Sequence, residues 1–192
     1  LTIFNKRGYS PSYTENDEPT GIPVINQRCV RNHTIIEEAV RYHNNEVKIA
    51  PQERYHKSWD VLINSMGVGT LGRVAVSSVA HDKLVHSVIT ILRANNEKML
   101  NGVFSYAMLS LEDIFTGMGT GSTGQTSLSN KYLGQTRIIT PPIDIQTKLN
   151  LILESIQQKI DLNYKENNYL SNLRDLLLPK LMSGEIRVPI KE

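Results

Sequence analysis

Two glycine-rich stretches contain the residue types that could bind a phosphate group. The first, GVGTLG, places Gly67, Gly69 and Gly72 on the G-x-G-x-x-G spacing, and the second, GTGSTGQT (119–126), has the glycine spacing of a P-loop. Turns of this kind bring backbone N–H groups close to a phosphate at the start of a helix. The two stretches are therefore the first candidates for chemistry in this chain.

Neither stretch completes its nucleotide-binding motif. A helix must follow G-x-G-x-x-G, but RVAVSSV (73–79) is rich in β-branched residues and predicts a strand. The first stretch is therefore predicted to be the turn of a hairpin with VLINSM (61–66). In the second stretch Gln125 stands where a P-loop has its lysine, and TSLSNKYLG after it is not a strong helix former. We expect no ATP or GTP hydrolysis at either place.

The polar side chains of both stretches suit a different phosphate-containing ligand. Hydroxyls, amides and backbone N–H groups make most of the contacts to phosphodiester oxygens and base edges. A tight hairpin without a ligand and a plain polar linker remain the structural alternatives. The candidate binding residues are Asn64, Ser65, Thr70 and Arg73 around the first stretch, and Ser122, Thr123, Gln125, Thr126, Ser127, Ser129, Asn130 and Lys131 in and after the second.

Other kinds of catalytic or metal site have no support in the sequence. The five histidines do not form H-x-x-x-H or H-E-x-x-H, and no G-x-S-x-G nucleophile motif is present. The only cysteine, Cys29, lies in an apolar run, so we expect a small core residue rather than a nucleophile. We predict no catalytic residue, no metal and no cofactor. A chain with one cysteine forms no internal disulfide, which fits the reducing cytoplasm.

The elements that must position these residues differ between the two parts of the chain, divided at Pro141-Pro142. Up to about residue 140, short runs rich in β-branched residues predict a strand-rich, mixed α+β fold. HTIIEEAVRYH (33–43) is either a short helix or an irregular excursion. The predicted strands are 21–30, 61–66, 73–79 and 87–93, and NGVFSYAMLSLEDIF (101–115) is a predicted helix.

The second part predicts one long helix. Residues 144–178 contain no glycine and no proline, and Pro179 and Gly184 are expected to end the run. Its apolar stripe requires a partner helix, or else the helix packs along its own domain. Asn163 and Asn167 interrupt the stripe. Polar residues at such positions can fix the register of two paired helices, and the alternative is that these asparagines simply face water. The stripe consists of Ile145, Leu149, Ile152, Ile156, Ile160, Leu170, Leu173 and Leu177.

Net charge and hydropathy say little about what the chain binds. The net charge of +2 comes entirely from residues 1–141, which hold 14 Lys and Arg against 12 Asp and Glu, and this excess is weak evidence for nucleic acid. No apolar run approaches the ~18 residues of a membrane-spanning helix. Residues 1–10 lack the layout of a secretory signal.

Six segments in chain order together resemble the specificity subunit of type I restriction–modification enzymes: GYSPSY (8–13), GIPVINQRCV (21–30), DVLINSMGVGTLGRV (60–74), GSTGQTSLSNKYL (121–133), PPIDIQTKLNLIL (141–153) and LRDLLLPKLMSGEIRV (173–188). A full subunit of that family carries two target recognition domains, each reading half of a split DNA sequence, separated by long helices. The resemblance implies that residues 1–140 form one recognition domain and 141–192 one helical spacer. Only one such unit is present here, as in a half-subunit or a fragment.

The resemblance also implies partners and contact residues. Two copies that pair their helices antiparallel would form a homodimer and read a palindromic split site on double-stranded DNA. The modification subunits are expected to dock on residues 141–192 and to bring the restriction subunits, so the chemistry belongs to those partners. A stand-alone DNA-binding regulator, or a nucleotide-dependent enzyme, is the alternative. The DNA contacts that the resemblance adds are Lys6, Arg7, Tyr9, Tyr13, Gln27 and Arg28.

Overall fold

The computed structural model of the chain describes residues 1–15, 19–37, 39–80, 82–117 and 127–187. Strands precede helices, which is the α+β organisation predicted from the sequence. The elements in chain order are β1 (Thr2–Arg7), β2 (Ile22–Ile25), β3 (Val30–Arg31), β4 (Thr34–Ile35), β5 (Arg41–His43), a 3₁₀ turn (Gln52–Arg54), β6 (Val61–Asn64), β7 (Val74–Val76), β8 (Leu84–Val85), β9 (Ile89–Ala94), α1 (Asn101–Leu109), α2 (Glu112–Gly117), α3 (Asn130–Gln135) and α4 (Ile143–Met182). We call the part from β1 to α3 the head.

A four-stranded antiparallel sheet in the order β1-β9-β6-β7 forms the centre of the head. Side chains on one face, including Val61 and Ile63, pack against Phe104 of α1 and Phe115 of α2. On the other face Leu62 packs with residues of β2 and β3 and the turn between them. Because both faces are covered, β6 and β7 are buried throughout and, apart from Asn64, are continuous apolar runs without the alternation of a half-exposed strand.

Smaller sheets cover the second face of the central sheet. One has the order β5-β2-β8, with β2 antiparallel to β5 and parallel to β8, and β3 pairs with β4. For the region 33–43 the alternatives were a short helix and an irregular excursion. Its described residues contain no helix, and β4 and β5 lie near its two ends. The predicted strand 21–30 is wrong as one piece. It splits after Ile25 because Asn26 accepts backbone hydrogen bonds from Arg28 and Cys29 and so forms a turn.

The three remaining predicted strands are confirmed as β6, β7 and β9. The predicted hairpin is confirmed as well, since β6 pairs with β7 antiparallel through Val61 with Val76 and Ile63 with Val74. The helix predicted over 101–115 is interrupted at Ser110, so that α1 and α2 are separate. The chain turns there because Ser110 closes α1 with backbone bonds to Tyr106 and Met108.

Helix α4 is longer than the sequence predicted. It begins after Pro142 as expected, but it continues through Pro179 to Met182, so the prediction that Pro179 helps to end the helix is wrong. A proline removes a single N–H donor, and the remaining turn keeps bonds such as Ser183 N to the Pro179 carbonyl. Gly184, the second predicted stop, follows the carboxy-terminal cap Ser183 with a positive φ of 76°, the usual conformation after the end of a helix. Forty residues at ~1.5 Å each give a length of about 60 Å.

The face of α4 that touches the head is mainly polar. Its buried residues are Gln146, Gln157 and Asp161. The apolar stripe points elsewhere. Ile152 is 58% exposed and Ile156 is 44% exposed, Leu177 is half-buried, and the other predicted stripe residues are exposed. Contact with its own head therefore does not bury the stripe, contrary to the alternative in which the helix packs along its own domain. None of the helices in the described ranges is long and apolar enough to cross a membrane.

Candidate nucleic-acid interface

The predicted contact segments converge at one end of the central sheet. Antiparallel pairing sets Arg7 beside Thr90, Asn64 beside Ile89 and Ile63 beside Val74, so the end of β1, the end of β6, the start of β7 and the start of β9 lie together. We call residues 7–9, 64–73 and 86–89 the loop end of the head. Helix α4 contacts the opposite end, where β7 and β9 finish. A ligand at the loop end is thus separated from α4 by the sheet.

The glycine turn at the loop end is held by its own hydrogen bonds. Gly67, Gly69 and Gly72 all have positive φ, and the N–H of Gly72 donates to the carbonyl of Asn64 at 2.8 Å. Arg73 donates from Nη2 to the Gly69 carbonyl at 3.0 Å, so its guanidinium lies beside the turn. Thr70 is half-buried within the turn, and Val68 is 82% exposed at its tip. A fixed turn with an aliphatic tip can contact a thymine methyl group.

Asn64 and Ser65 lie inside the head rather than on its surface. Both are fully buried, and Asn64 donates from Nδ2 to the Gln27 carbonyl at 2.9 Å. The hydroxyl of Ser65 bonds to Thr90 and to the Ile63 carbonyl. The prediction that these two side chains touch DNA does not fit their burial. Their bonds instead attach the Gln27 turn and β9 to the glycine turn.

The amino-terminal strand holds the segment that follows the second glycine stretch. Arg7 donates from Nη2 to the Leu128 carbonyl at 2.8 Å, and burial lowers the pKa of its guanidinium. Asn130 donates to the carbonyl of Asn5 at 3.2 Å, and Asn5 donates in return to the carbonyl of Asn130 at 3.0 Å. Arg7 and Asn130 therefore use some of their hydrogen-bond donors within the head. The reciprocal role of Asn5 was not predicted, because nothing in its sequence neighbourhood distinguishes it.

The start of α3 carries the exposed part of this segment. Ser127 is exposed and forms a β-bridge with Met66, which joins it to the glycine turn. Ser129 accepts a bond from the N–H of Tyr132 at 3.1 Å and thereby starts α3, a helix that the sequence did not predict. Lys131 is exposed in the first turn of α3, and Lys6 is exposed on β1. Ser122, Thr123, Gln125 and Thr126 lie outside the described residues.

The two predicted tyrosines lie beside cationic side chains that sequence reasoning missed. The Tyr9 ring has Lys48 Nζ at 4.3 Å from its centre, and its hydroxyl donates to the Ile49 carbonyl at 3.0 Å. Arg41 lies 3.7 Å above the Tyr13 ring. A β-bridge between Tyr13 and His43 brings β5 and the segment after it to these tyrosines, so no local sequence signal identifies the cations. Cations over aromatic rings are stabilised by the ring quadrupole.

Two histidine rings pack against Tyr9 and Tyr13. His86 stacks on Tyr13 at 6.2 Å between ring centres, and burial, together with the charge of Arg41, lowers the pKa of its imidazole. His43 is fully buried and lies edge-on to Tyr9 at 5.8 Å. Its Nδ1 accepts from the N–H of Ser12 at 2.9 Å and its Nε2 is 2.7 Å from the Lys48 carbonyl. We therefore assign His43 a structural role.

The turn between β2 and β3 adds one more cation near the loop end. Arg28 is exposed, and Gln27 is half-buried with its carbonyl held by Asn64. The surface around the loop end thus offers guanidinium, ammonium, amide and hydroxyl donors, which suit phosphate oxygens and base edges. Among the described residues no group of three His, Cys, Asp or Glu side chains could hold a metal ion.

Comparison with known proteins identifies the family of the chain. The family model for the type I restriction modification DNA specificity domain matches residues 1–172. The putative MjaX specificity subunit of Methanocaldococcus jannaschii, a type I restriction enzyme subunit, is 24% identical over 93% of this chain and 39% of its own length. The MjaIX specificity subunit of the same organism is 40% identical over 33% of this chain and 13% of its own.

A solved structure supports the fold. The S subunit of the type I restriction–modification system of M. genitalium superposes with a TM-score of 0.61 at 19% identity, covering 100% of this chain and 46% of that one. The chain spans less than half the length of each of these relatives. The shared fold is a strand-rich head followed by one long helix. The chain belongs to the family of type I restriction modification DNA specificity domains.

Proposed function

We propose that the chain reads one half of a split double-stranded DNA target and that two copies pair through α4 to read both halves. The observation that carries this proposal is the apolar stripe of α4, which remains exposed although the same helix contacts its own head. An exposed apolar surface of this length indicates an interaction site. A second stripe of the same sequence is the complementary surface that a two-fold dimer requires.

Antiparallel pairing explains how one recognition unit can serve a split target. If the stripes overlap fully from Ile145 to Leu177, the two-fold axis falls midway, near residue 161, and the heads lie on either side of it. Asn163 lies close to that axis, where a polar residue can fix the register of the pair. Two identical heads related by a two-fold axis read a palindromic sequence with an unread spacer.

The head is proposed to meet the duplex with its loop end. Arg73 lies beside the glycine turn, and the half-buried Gln27 is bonded through its carbonyl to Asn64 at the start of that turn. Arg28, Lys6 and Lys131 are exposed cations on the segments next to it. Arginine and glutamine side chains suit guanine and adenine edges in the major groove, while lysine and hydroxyl groups fix the phosphate backbone. Tyr9, Tyr13, Thr70 and Ser127 extend the same surface.

The chain supplies recognition, and its partners supply the chemistry. Residues 1–140 act as the recognition domain and 141–192 as the spacer on which modification subunits dock, with restriction subunits joining through them. This division leaves the specificity chain without a catalytic residue or a cofactor of its own. Its place of action is the cytoplasm, where duplex DNA is available.

Mapping of methylated bases tests the proposal. The chain is co-expressed with the modification subunits of its own system in a host that lacks other DNA methylation. We expect methylation at a palindromic split sequence, with both halves alike. Methylation of an asymmetric site would overturn the homodimer, and the absence of sequence-specific methylation or DNA binding would overturn the recognition role.

A further inference from the structure

A row of polar side chains joins α4 to the head. Gln146, Asn150, Gln157 and Asp161 follow one another at helical spacing on the side of α4 that faces the head, and three of them are at most 7% exposed. We call these four residues the polar clamp. They span about 22 Å of the helix at ~1.5 Å per residue. Buried polar side chains nearly always have hydrogen-bond partners, so the polar clamp is expected to be bonded to the head.

The first half of the polar clamp supplies the amino-terminal cap of α1. Gln146 Oε1 accepts from the N–H of Leu100 at 2.9 Å, and Asn150 Oδ1 accepts from the N–H of Gly102 at 2.8 Å. The first N–H groups of a helix have no partner within it, and Leu100 at the N-cap of α1 supplies no side-chain hydrogen bond. Gly102 permits the close approach, since a Cβ there would lie 2.9 Å from Asn150 Oδ1.

The second half of the polar clamp holds the segment that follows β7. Asp161 accepts from the backbone N–H of Ser78 at 2.7 Å and also from the Ser78 hydroxyl. Gln157 donates to Asp161 at 3.1 Å and to the Val76 carbonyl at 3.4 Å, and it accepts from the Tyr106 hydroxyl at 3.3 Å. Two separate parts of the head, one after β9 and one after β7, are thus attached to one helix.

Attachment at two places through directional bonds fixes orientation as well as position. Hydrogen bonds weaken steeply when donor and acceptor rotate out of line, whereas apolar side chains can slide and repack. In a split DNA site each additional base pair moves the second half-site by about 3.4 Å and rotates it by roughly 35° around the duplex. A head that cannot rotate on α4 matches one separation and rejects its neighbours.

We propose that the polar clamp sets the number of base pairs between the two half-sites, with Gln157 and Asp161 as positioning residues that do not touch DNA. This inference rests on the proposed function, in which two heads read one duplex. Spacer preference is then a property of the contact between head and helix, in addition to the length of the helix. Base preference within each half-site belongs to the loop end and is independent of the polar clamp.

The test measures spacer preference and base preference separately. Once the methylated site is mapped, the complex of the chain with its modification subunits is assayed on duplexes whose spacer is one base pair shorter, unchanged or one base pair longer. For Gln157→Ala with Asp161→Ala we expect roughly a tenfold loss of spacer selectivity, the order that removing two hydrogen-bonding side chains allows. Discrimination against substitutions within a half-site stays as in the unmodified chain.

The neighbouring glutamine provides a matched control. Gln158 is exposed whereas Gln157 is 2% exposed, so Gln158→Ala removes the same side chain without touching the head. We expect this variant to keep its spacer selectivity. Equal selectivity in the double variant and in the unmodified chain would overturn the inference while leaving the recognition role intact. Loss of selectivity in Gln158→Ala as well would also overturn it.

A distance measurement in the absence of DNA tests whether the polar clamp fixes the head on α4. Spin labels at Val47→Cys on the head and Glu166→Cys on α4, both exposed positions, report the distance between head and helix in chain diluted with unlabelled protein. We expect a narrow distribution for the unmodified chain and for Gln158→Ala, and a broad one for the double variant. If the double variant no longer binds DNA, an unchanged narrow distribution contradicts the orienting role of the polar clamp and a broadened one supports it. A chain that recognises no split site would overturn the proposed function and this inference with it.

Discussion

Lys131 is the residue at which a phosphate contact can be tested most directly. It is exposed in the first turn of α3 and forms no hydrogen bond or ion pair among those described. Lys131→Ala is expected to weaken binding to all DNA sequences alike and to reduce the slope of log affinity against log salt by about one. Fluorescence anisotropy titrations at several salt concentrations measure both quantities.

Lys98 serves as the control for this prediction. It is exposed but lies near the end of β9, on the side of the head that contacts α4. Lys98→Ala should leave the salt dependence unchanged. An identical loss of slope in both variants would show that general charge, rather than the loop end, controls binding.

His86 makes the stability of the head depend on pH. Burial, assisted by Arg41, lowers its pKa below the ordinary value of 6.5, so the folded chain holds the imidazole neutral more strongly than the unfolded chain does. The full stability is present above the unfolded pKa and is lost as the pH falls through 6.5 towards the folded value. Urea unfolding at pH 7.5 and pH 5.5 should show a lower midpoint in acid, and His86→Gln should reduce this difference. An undiminished difference in the variant would assign the effect to other groups.

Residue types alone predicted correctly that some of the candidate contact side chains are exposed. Lys6, Arg28 and Lys131 are exposed, as their charge indicates, but Asn64 and Ser65 are buried and Arg7 is bonded to Leu128. Asparagine, serine and arginine are usually found at surfaces, and their burial depends on partners contributed from distant strands. The pairing that supplies those partners, such as Arg7 with a carbonyl 121 positions away, leaves no local pattern.

At the scale of elements, the glycine turn is coupled to α2 through Gly72. It has a positive φ of 80°, and a Cβ on it would collide with the backbone nitrogen of Thr116. Gly69 also has a positive φ, but an added Cβ would meet nothing within 4 Å. Gly69→Ala should therefore cost about 1 kcal/mol of unfolding free energy from backbone strain alone.

Gly72→Ala should cost about 3 kcal/mol or more, because the backbone of α2 has to move in addition. Urea denaturation followed by circular dichroism measures the pair under the same conditions. Similar losses for the two variants would contradict the close contact between the turn and α2.

The elements that sequence patterns identified are those whose signal is local. Strands β6, β7 and β9 are short runs of β-branched residues, and α4 is a long stretch with helical periodicity. Strands β1 and β8 were missed because they become strands only through pairing with distant segments. Strands β3 and β4 pair with each other across Asn32 and His33, and two residues each are too short to show a period-2 pattern. The extension of α4 past Pro179 was missed because a proline usually ends a helix.

At the scale of the whole molecule, α4 presents two functionally different faces. The apolar stripe was recognisable from the sequence because its leucines and isoleucines recur every three or four residues. The polar clamp was not, since glutamine, asparagine and aspartate on a helix normally face water. Only the folded chain shows that the head occupies the polar side, leaving the apolar side for a partner.

Ile156 and Leu151 separate the proposed dimer surface from the rest of the helix. Ile156 belongs to the stripe, whereas Leu151, 67% exposed, lies on a part of α4 that faces neither the stripe nor the head. Two-fold symmetry places two copies of any stripe residue in the dimer, and each buried aliphatic side chain contributes ~1.5–3 kcal/mol. Ile156→Asp should therefore raise the dimer dissociation constant by roughly 100-fold or more. Leu151→Asp should leave the dissociation constant unchanged.

Sedimentation velocity over a range of concentrations measures the dimer dissociation constant of both variants. A dimer that survives Ile156→Asp, or an unmodified chain that stays monomeric at micromolar concentration, would show that the stripe is covered by something other than a second copy.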